Sequence, residues 1–171
     1  MPPHPQFQEL DYRETPLGDL ILRRRTVLSL DKLEVYEIIL GDSFLMSSLF
    51  TSVEVALSDL GLAALENSSH TDSKWDVVVG GLGLGYTARA ALKYPKVSSL
   101  AVVETLDAVI DWHRQGLVPL GPELTSDPRC DFVQGDFFSL ALDISASASF
   151  DPQKPGQKLH AVLLHIDHPP D

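Results

Sequence analysis

At 171 residues, 44% hydrophobic and 22% charged, the chain is long enough for one domain with a real core, or one domain with a small appendage. Its formal net charge of −11 excludes a surface built for nucleic-acid phosphates and leaves cationic or neutral small molecules as compatible ligands. One cysteine, Cys130, excludes an intramolecular disulfide and fits a reducing cytoplasm. The start, Met1-Pro2-Pro3-His4-Pro5, lacks a signal-peptide pattern, and no apolar run approaches the roughly 20 residues that span a bilayer. The expected location is the cytoplasm, with neither nucleic acid nor membrane as a partner.

Residues 1–9 read as a loose, Pro-rich arm. Strand-like runs follow at Leu20 to Leu22, Thr26 to Leu30 and Leu33 to Leu40, punctuated by Pro16-Leu17-Gly18-Asp19 and Asp31-Lys32, and predict a small antiparallel sheet. Arg23-Arg24-Arg25 reads either as an anion patch or as an exposed strand edge that discourages aggregation. The two parts expected are an arm with its small sheet, 1–45, and an α/β domain, 46–171.

Leu49, Val53, Ala56, Leu57 and Leu60 have helical spacing within Ser47 to Leu65. A polar loop, Asn67 to Lys74, leads to an apolar strand, and the strand runs into Gly80-Gly81-Leu82-Gly83-Leu84-Gly85. Tyr86 to Tyr94 then reads as a helix stopped by Pro95. A second apolar strand ends on Glu104, and Thr105 to Gln115 predicts a helix with Leu106, Val109, Ile110 and His113 on one face. Gly116 to Arg129, with three prolines, reads as a loop. Cys130 to Gln134 is a third strand closed by Gly135-Asp136, and Phe137 to Ile144 a short helix. Ser145 to Gln157 reads as a surface excursion, and Leu159 to Ile166 as a fourth strand leading to Asp167-His168-Pro169-Pro170-Asp171.

Strands alternating with helices predict a doubly wound parallel sheet of Rossmann-like, methyltransferase type. Such sheets normally continue through more strands, so the stop after the fourth reads as a C-terminal truncation. A glycine-rich turn between strand and helix lets backbone amides approach a ligand with a helix N-terminus behind them. Glu104, nineteen residues after Gly85, ends the second strand, where a carboxylate can accept hydrogen bonds from both hydroxyls of a ribose. Gly81-x-Gly83-x-Gly85 fits the turn of S-adenosylmethionine enzymes, and Gly83-Leu84-Gly85-Tyr86-Thr87-Ala88 also satisfies the dinucleotide fingerprint G-x-G-x-x-A. Glycines here also serve plain strand–helix packing. Asp136 and Phe137 can offer an acceptor to an adenine amine and an apolar slot to its ring, although Asp136 is an equally good N-cap.

From about Leu10 to the C-terminus the chain resembles the polyamine aminopropyltransferase (spermidine synthase) family, most specifically from Val77 to Asp136: Val-Val-Val-Gly-Gly-x-Gly-x-Gly, then Val102-Val103-Glu104, then Asp127-Pro128-Arg129 leading to Gly135-Asp136. The resemblance implies a methyltransferase-like sheet that binds S-adenosylmethionine or its decarboxylated form and transfers an aminopropyl group to an amine. By that similarity Gly81, Gly83 and Gly85 line the cofactor, Glu104 holds the ribose and Asp136 meets the adenine. Two departures are plain. The turn Gly81 to Gly85 contains only Gly and Leu where the family carries an amine-recognising acid, and Leu45 to Phe50 lacks its Tyr-His-Glu triplet. At the catalytic strand end, only Asp167, with His165 beside it, carries over from the family's Asp-Ser-Ser-Asp-Pro.

Aminopropyl transfer requires an ammonium nucleophile to be deprotonated, aligned and kept from water. Asp167, or His165 or His168, is placed to do this after the fourth strand, and the bland alternative is that these residues only terminate it. A metal is not expected: the His-x-His-x-Asp-His pattern would need its first histidine at Leu163, and no other segment supplies ligands. The reading is therefore a transferase acting on a small cationic amine, with a homodimer as the expected assembly. Its alternatives are a methyltransferase and a non-catalytic dimerisation or nucleoside-sensing module. NAD chemistry fits less well, because a β segment precedes the turn and Asp136 stands where an adenine acceptor belongs.

Overall fold

A computed structural model describes residues 7–68, 74–142, 150 and 158–166. The chain divides into two compact units, residues 1–51 and 52–171.

The first unit is an antiparallel sheet of β1 (Phe7–Thr15), β2 (Gly18–Val27), β3 (Leu33–Leu40) and β4 (Ser43–Ser47), in that order. Leu20 faces Leu40 and Leu22 faces Ile38 across β2 and β3, burying one side of the pair. On the other side Arg23 lies opposite Glu37, whose two carboxylate oxygens accept from Arg23 Nε and Arg25 Nε at 2.7 Å each. Glu37 is 2% exposed, so the two guanidiniums are what make its burial tolerable. This corrects the reading of the arginine run as a strand edge: β2 is interior, and Arg24, on the opposite face, pairs with Glu34 and Gln8. The expected loose arm, residues 1–9, is in part a strand. β1 begins at Phe7 because β2 offers it a backbone ladder, although its own residues are mostly polar. Thr26 to Leu30 is not one strand: β2 ends at Val27, and Leu28–Leu30 makes a 3-10 turn into Asp31 and Lys32, both left-handed.

The second unit is an α/β layer. After α1 (Ser52–Glu66) come β5 (Trp75–Gly80), α2 (Tyr86–Leu92), β6 (Val97–Glu104), α3 (Asp107–Arg114), α4 (Gly121–Ser126), β7 (Cys130–Gln134), α5 (Phe137–Leu142) and β8 (Ala161–Leu164). The strands are parallel in the order β7-β6-β5-β8. The order thus reverses at β5, whose carboxyl end is where an open α/β sheet leaves a crevice. Val77, Val78 and Val79 are all at most 1% exposed, as expected of a strand covered on both faces. On one side α1 and α2 pack together, with Ser58 Oγ donating to the Thr87 carbonyl at 2.7 Å. On another, Val78, Ala101, Val103, Val133 and Phe137 form a cluster joined by Phe150 and Leu159.

The expected loop Gly116 to Arg129 contains α4; Pro122 falls in its first turn, where a missing amide breaks no helical hydrogen bond. Among the described residues no helix is long and apolar enough to cross a membrane. The protein is α/β, a helix-flanked parallel sheet with a separate antiparallel sheet at the N-terminus.

Candidate functional site

The turn after β5 is built from three left-handed glycines, Gly81 (φ +92°), Gly83 (φ +49°) and Gly85 (φ +91°). Gly81 N–H donates to the Val103 carbonyl at 2.9 Å, and Gly85 N–H closes onto the Leu82 carbonyl at 2.8 Å. A Cβ on Gly81 would run into the carbonyl oxygen of His165, and one on Gly85 would lie 2.6 Å from Leu124 Cδ1 and 3.1 Å from His113 Nε2. Glycine is thus required at both positions for conformation and for room.

Glu104 ends β6 beside this turn. One carboxylate oxygen, Oε2, accepts from Leu82 N–H at 2.9 Å, and Oε1 accepts from Leu106 N–H at 2.9 Å. Burial pushes the Glu104 carboxyl up from its ordinary range, and the surrounding amides of Leu106, Leu82, Gly83 and Thr105 pull the other way. The side chain ties the turn to the start of the α3 segment.

His165 meets the same edge from the β8 side. Its N–H donates to the Gly80 carbonyl at 2.9 Å, which carries the β5–β8 ladder past Leu164 and sets residue 165 beside the turn. Asp167, and His168 with it, lies outside the described residues. Asp136 follows β7, two strands from β5 and so about 10 Å across the sheet. Its Oδ2 accepts from Ser139 N–H at 2.7 Å, capping α5, and the Ser139 hydrogen bonds hold its carboxyl below the usual carboxylate range. Phe137 is 7% exposed, with its ring stacked on Phe150 and edge-on to Phe138. The same ring reaches the end of β5, where a Cβ on Gly80 would come within 2.9 Å of it.

The structure therefore gathers the Gly81–Gly85 turn, Glu104 and His165 at one edge, with the Asp136 cap further along that edge. Sequence reading passed over His113, which is fully buried beneath Gly85 with Nδ1 2.9 Å from the Val109 carbonyl. Its signal was a lone histidine on an otherwise apolar helix face directly after the strand bearing Glu104. Among the described residues no three His, Cys, Asp or Glu side chains converge as metal ligands, and His160 Nδ1 accepts from the Asp76 amide at 3.0 Å.

No protein-family model matches the chain. Among solved structures it is similar to spermidine synthase from Thermotoga maritima, at 15% identity and a TM-score of 0.66 over 95% of this chain and 48% of that one. It is also similar to a spermidine synthase in complex with the transition-state analogue AdoDATO, at 18% identity and a TM-score of 0.54 over 75% of this chain and 40% of that one. The chain spans about half, or less, of these neighbours' length. At such identities the likeness is one of backbone, and it gives the chain a spermidine-synthase-like fold.

Proposed function

We propose that the carboxyl edge of the parallel sheet binds an adenosyl-sulfonium cofactor and that the protein transfers the cofactor's aminopropyl group to a cationic amine. The observation that carries this reading is Glu104: a carboxylate held against the glycine turn by Leu82 N–H at the end of β6, the place from which an acidic side chain can meet ribose hydroxyls. The turn suits such a ligand because its left-handed glycines fold a short loop at the carboxyl end of β5, where an open α/β sheet leaves a crevice. Asp136 keeps one carboxylate oxygen beyond its capping bond, which suits the adenine amine, and Phe137 forms a wall under the end of β5. The AdoDATO complex of a structural neighbour favours decarboxylated S-adenosylmethionine as the cofactor.

That cofactor supplies a carbon activated by sulfonium departure. The protein's own work is to orient the ammonium, accept the proton it must lose, and exclude water. His165, set beside the turn through its bond to Gly80, and Asp167 are the residues proposed to take that proton. A second reading, methyl transfer from S-adenosylmethionine itself, is favoured by the absence of any acid from Gly81 to Gly85.

Calorimetric titration with decarboxylated S-adenosylmethionine, S-adenosylmethionine, S-adenosylhomocysteine, methylthioadenosine and NAD separates these. Preference for the decarboxylated form and methylthioadenosine supports aminopropyl transfer. Preference for the carboxylate-bearing pair supports methyl transfer. NAD alone, or silence from a folded protein, overturns both.

A further inference from the structure

We propose that His113 is a positioning residue of the glycine turn, its buried imidazole holding Leu84 and Gly85 in the conformation that receives the adenosyl ligand. His113 is fully buried, on the last turn of α3, and reaches back beneath a loop that precedes it by almost thirty residues. Its Nδ1 is fixed within α3 by the Val109 carbonyl at 2.9 Å, so the ring cannot swing without breaking that contact. The other nitrogen, Nε2, makes no hydrogen bond of standard geometry, yet it lies 3.1 Å from where a Gly85 Cβ would stand, with the Leu84 backbone also against the ring.

A buried polar atom without a partner is costly, and an apolar side chain of similar volume would avoid that cost. The surroundings are otherwise apolar. Phe132 of β7 meets the ring edge-on with centroids 5.6 Å apart, and Leu120, just before α4, and Leu124 of α4 share with it the space under Gly85. The His113 backbone is closely packed as well: a Cβ on Gly121 would come within 2.5 Å of its carbonyl oxygen. The imidazole thus lies between Phe132 of β7 and the Gly85 turn, on a backbone packed closely against α4. Glu104 holds the turn from one end through Leu82, and His113 holds it from the other through Leu84 and Gly85.

The inference rests on the cofactor reading for its affinity measurement and on the fold alone for a second measurement. Gln places a polar group near the Nε2 position, Asn near the Nδ1 position, and Leu at neither. The expected result is that H113Q keeps affinity for methylthioadenosine and decarboxylated S-adenosylmethionine within threefold, whereas H113N and H113L lose tenfold or more. In the ligand-free proteins, deuterium exchange at the Leu84 and Gly85 amides should stay slow in H113Q and quicken at least tenfold in the other two. Equal affinity and equal exchange in all three overturns the inference while leaving the cofactor reading intact. The expected exchange pattern in a protein that binds no adenosyl ligand sinks the cofactor reading and keeps the inference. If H113N and H113L do not fold, the Nε2 resonance of nitrogen-15-labelled wild type decides: a shift on adding methylthioadenosine supports the role, and an unmoved resonance with ligand bound removes it.

Discussion

Glu104 commits both carboxylate oxygens to backbone amides, and its charge is what makes those bonds strong. Glu104→Gln keeps the shape but leaves one of the two amides facing an NH2 group, and it loses the charged acceptor for a ribose. Adenosyl-ligand affinity is expected to fall by about 1.5–3 kcal/mol, the scale for a hydrogen bond to a charged group; calorimetry on matched samples reads it. Burial holds the His113 pKa below its ordinary 6.5 in the folded protein, so the unfolded chain takes up the proton first as pH falls. The stability the ring contributes is thus complete above pH 6.5 and is lost as pH drops from there through the folded pKa. Thermal unfolding between pH 7.5 and 5.5 should show wild type losing more stability than His113→Gln. Parallel pH profiles would mean that the imidazole is not the titrating group.

At the scale of the element, the distance between α1 and β8 is set by Gly61, where a Cβ would lie 2.7 Å from Leu163 Cδ2. Gly61→Ala gains about 1 kcal/mol of helix propensity. Forcing a methyl against Leu163, itself only 2% exposed, costs about 1–3 kcal/mol of overpacking, so the net effect is destabilising. Urea denaturation should show this, and Leu163→Val in the same protein should restore most of the loss; a Gly61→Ala protein more stable than wild type would show that Leu163 yields freely. The elements themselves were unequally legible. β5 and β6 stand out because burial on both faces demands continuous apolar runs. β1 and β4 do not, because β1 is mostly polar and both are ordered by the ladder a neighbour provides. The short helix α4 was hidden by prolines that mark loops on average and first turns in particular. Within the site, Glu104 was legible from its place at a strand end, whereas His113 acts across a contact between α3 and the turn that no local pattern encodes.

For the whole molecule, 24 acidic residues against 13 Lys and Arg make self-repulsion the dominant long-range term at neutral pH. The exposed ion pairs Arg24–Glu34 and Lys96–Glu66, at 3.4 and 3.5 Å, offset little of it, since such pairs contribute about 0–1 kcal/mol each. The pairing of Arg23 and Arg25 on Glu37 is sheltered around a carboxylate that solvent scarcely reaches, so salt weakens it little. Raising salt from 0.01 to 0.15 M shortens the screening length from about 30 to about 8 Å. That change removes repulsion between distant carboxylates while sparing the buried cluster, so the unfolding temperature is expected to rise with sodium chloride over this range. The same field would draw a cationic amine toward the protein, and screening should therefore slow its association as stability improves. Differential scanning calorimetry and stopped-flow binding across one salt series test the pair together. A falling unfolding temperature would mean that surface ion pairs outweigh the repulsion. Amine association that ignores salt would mean that the acidic surface lies away from the path of the amine.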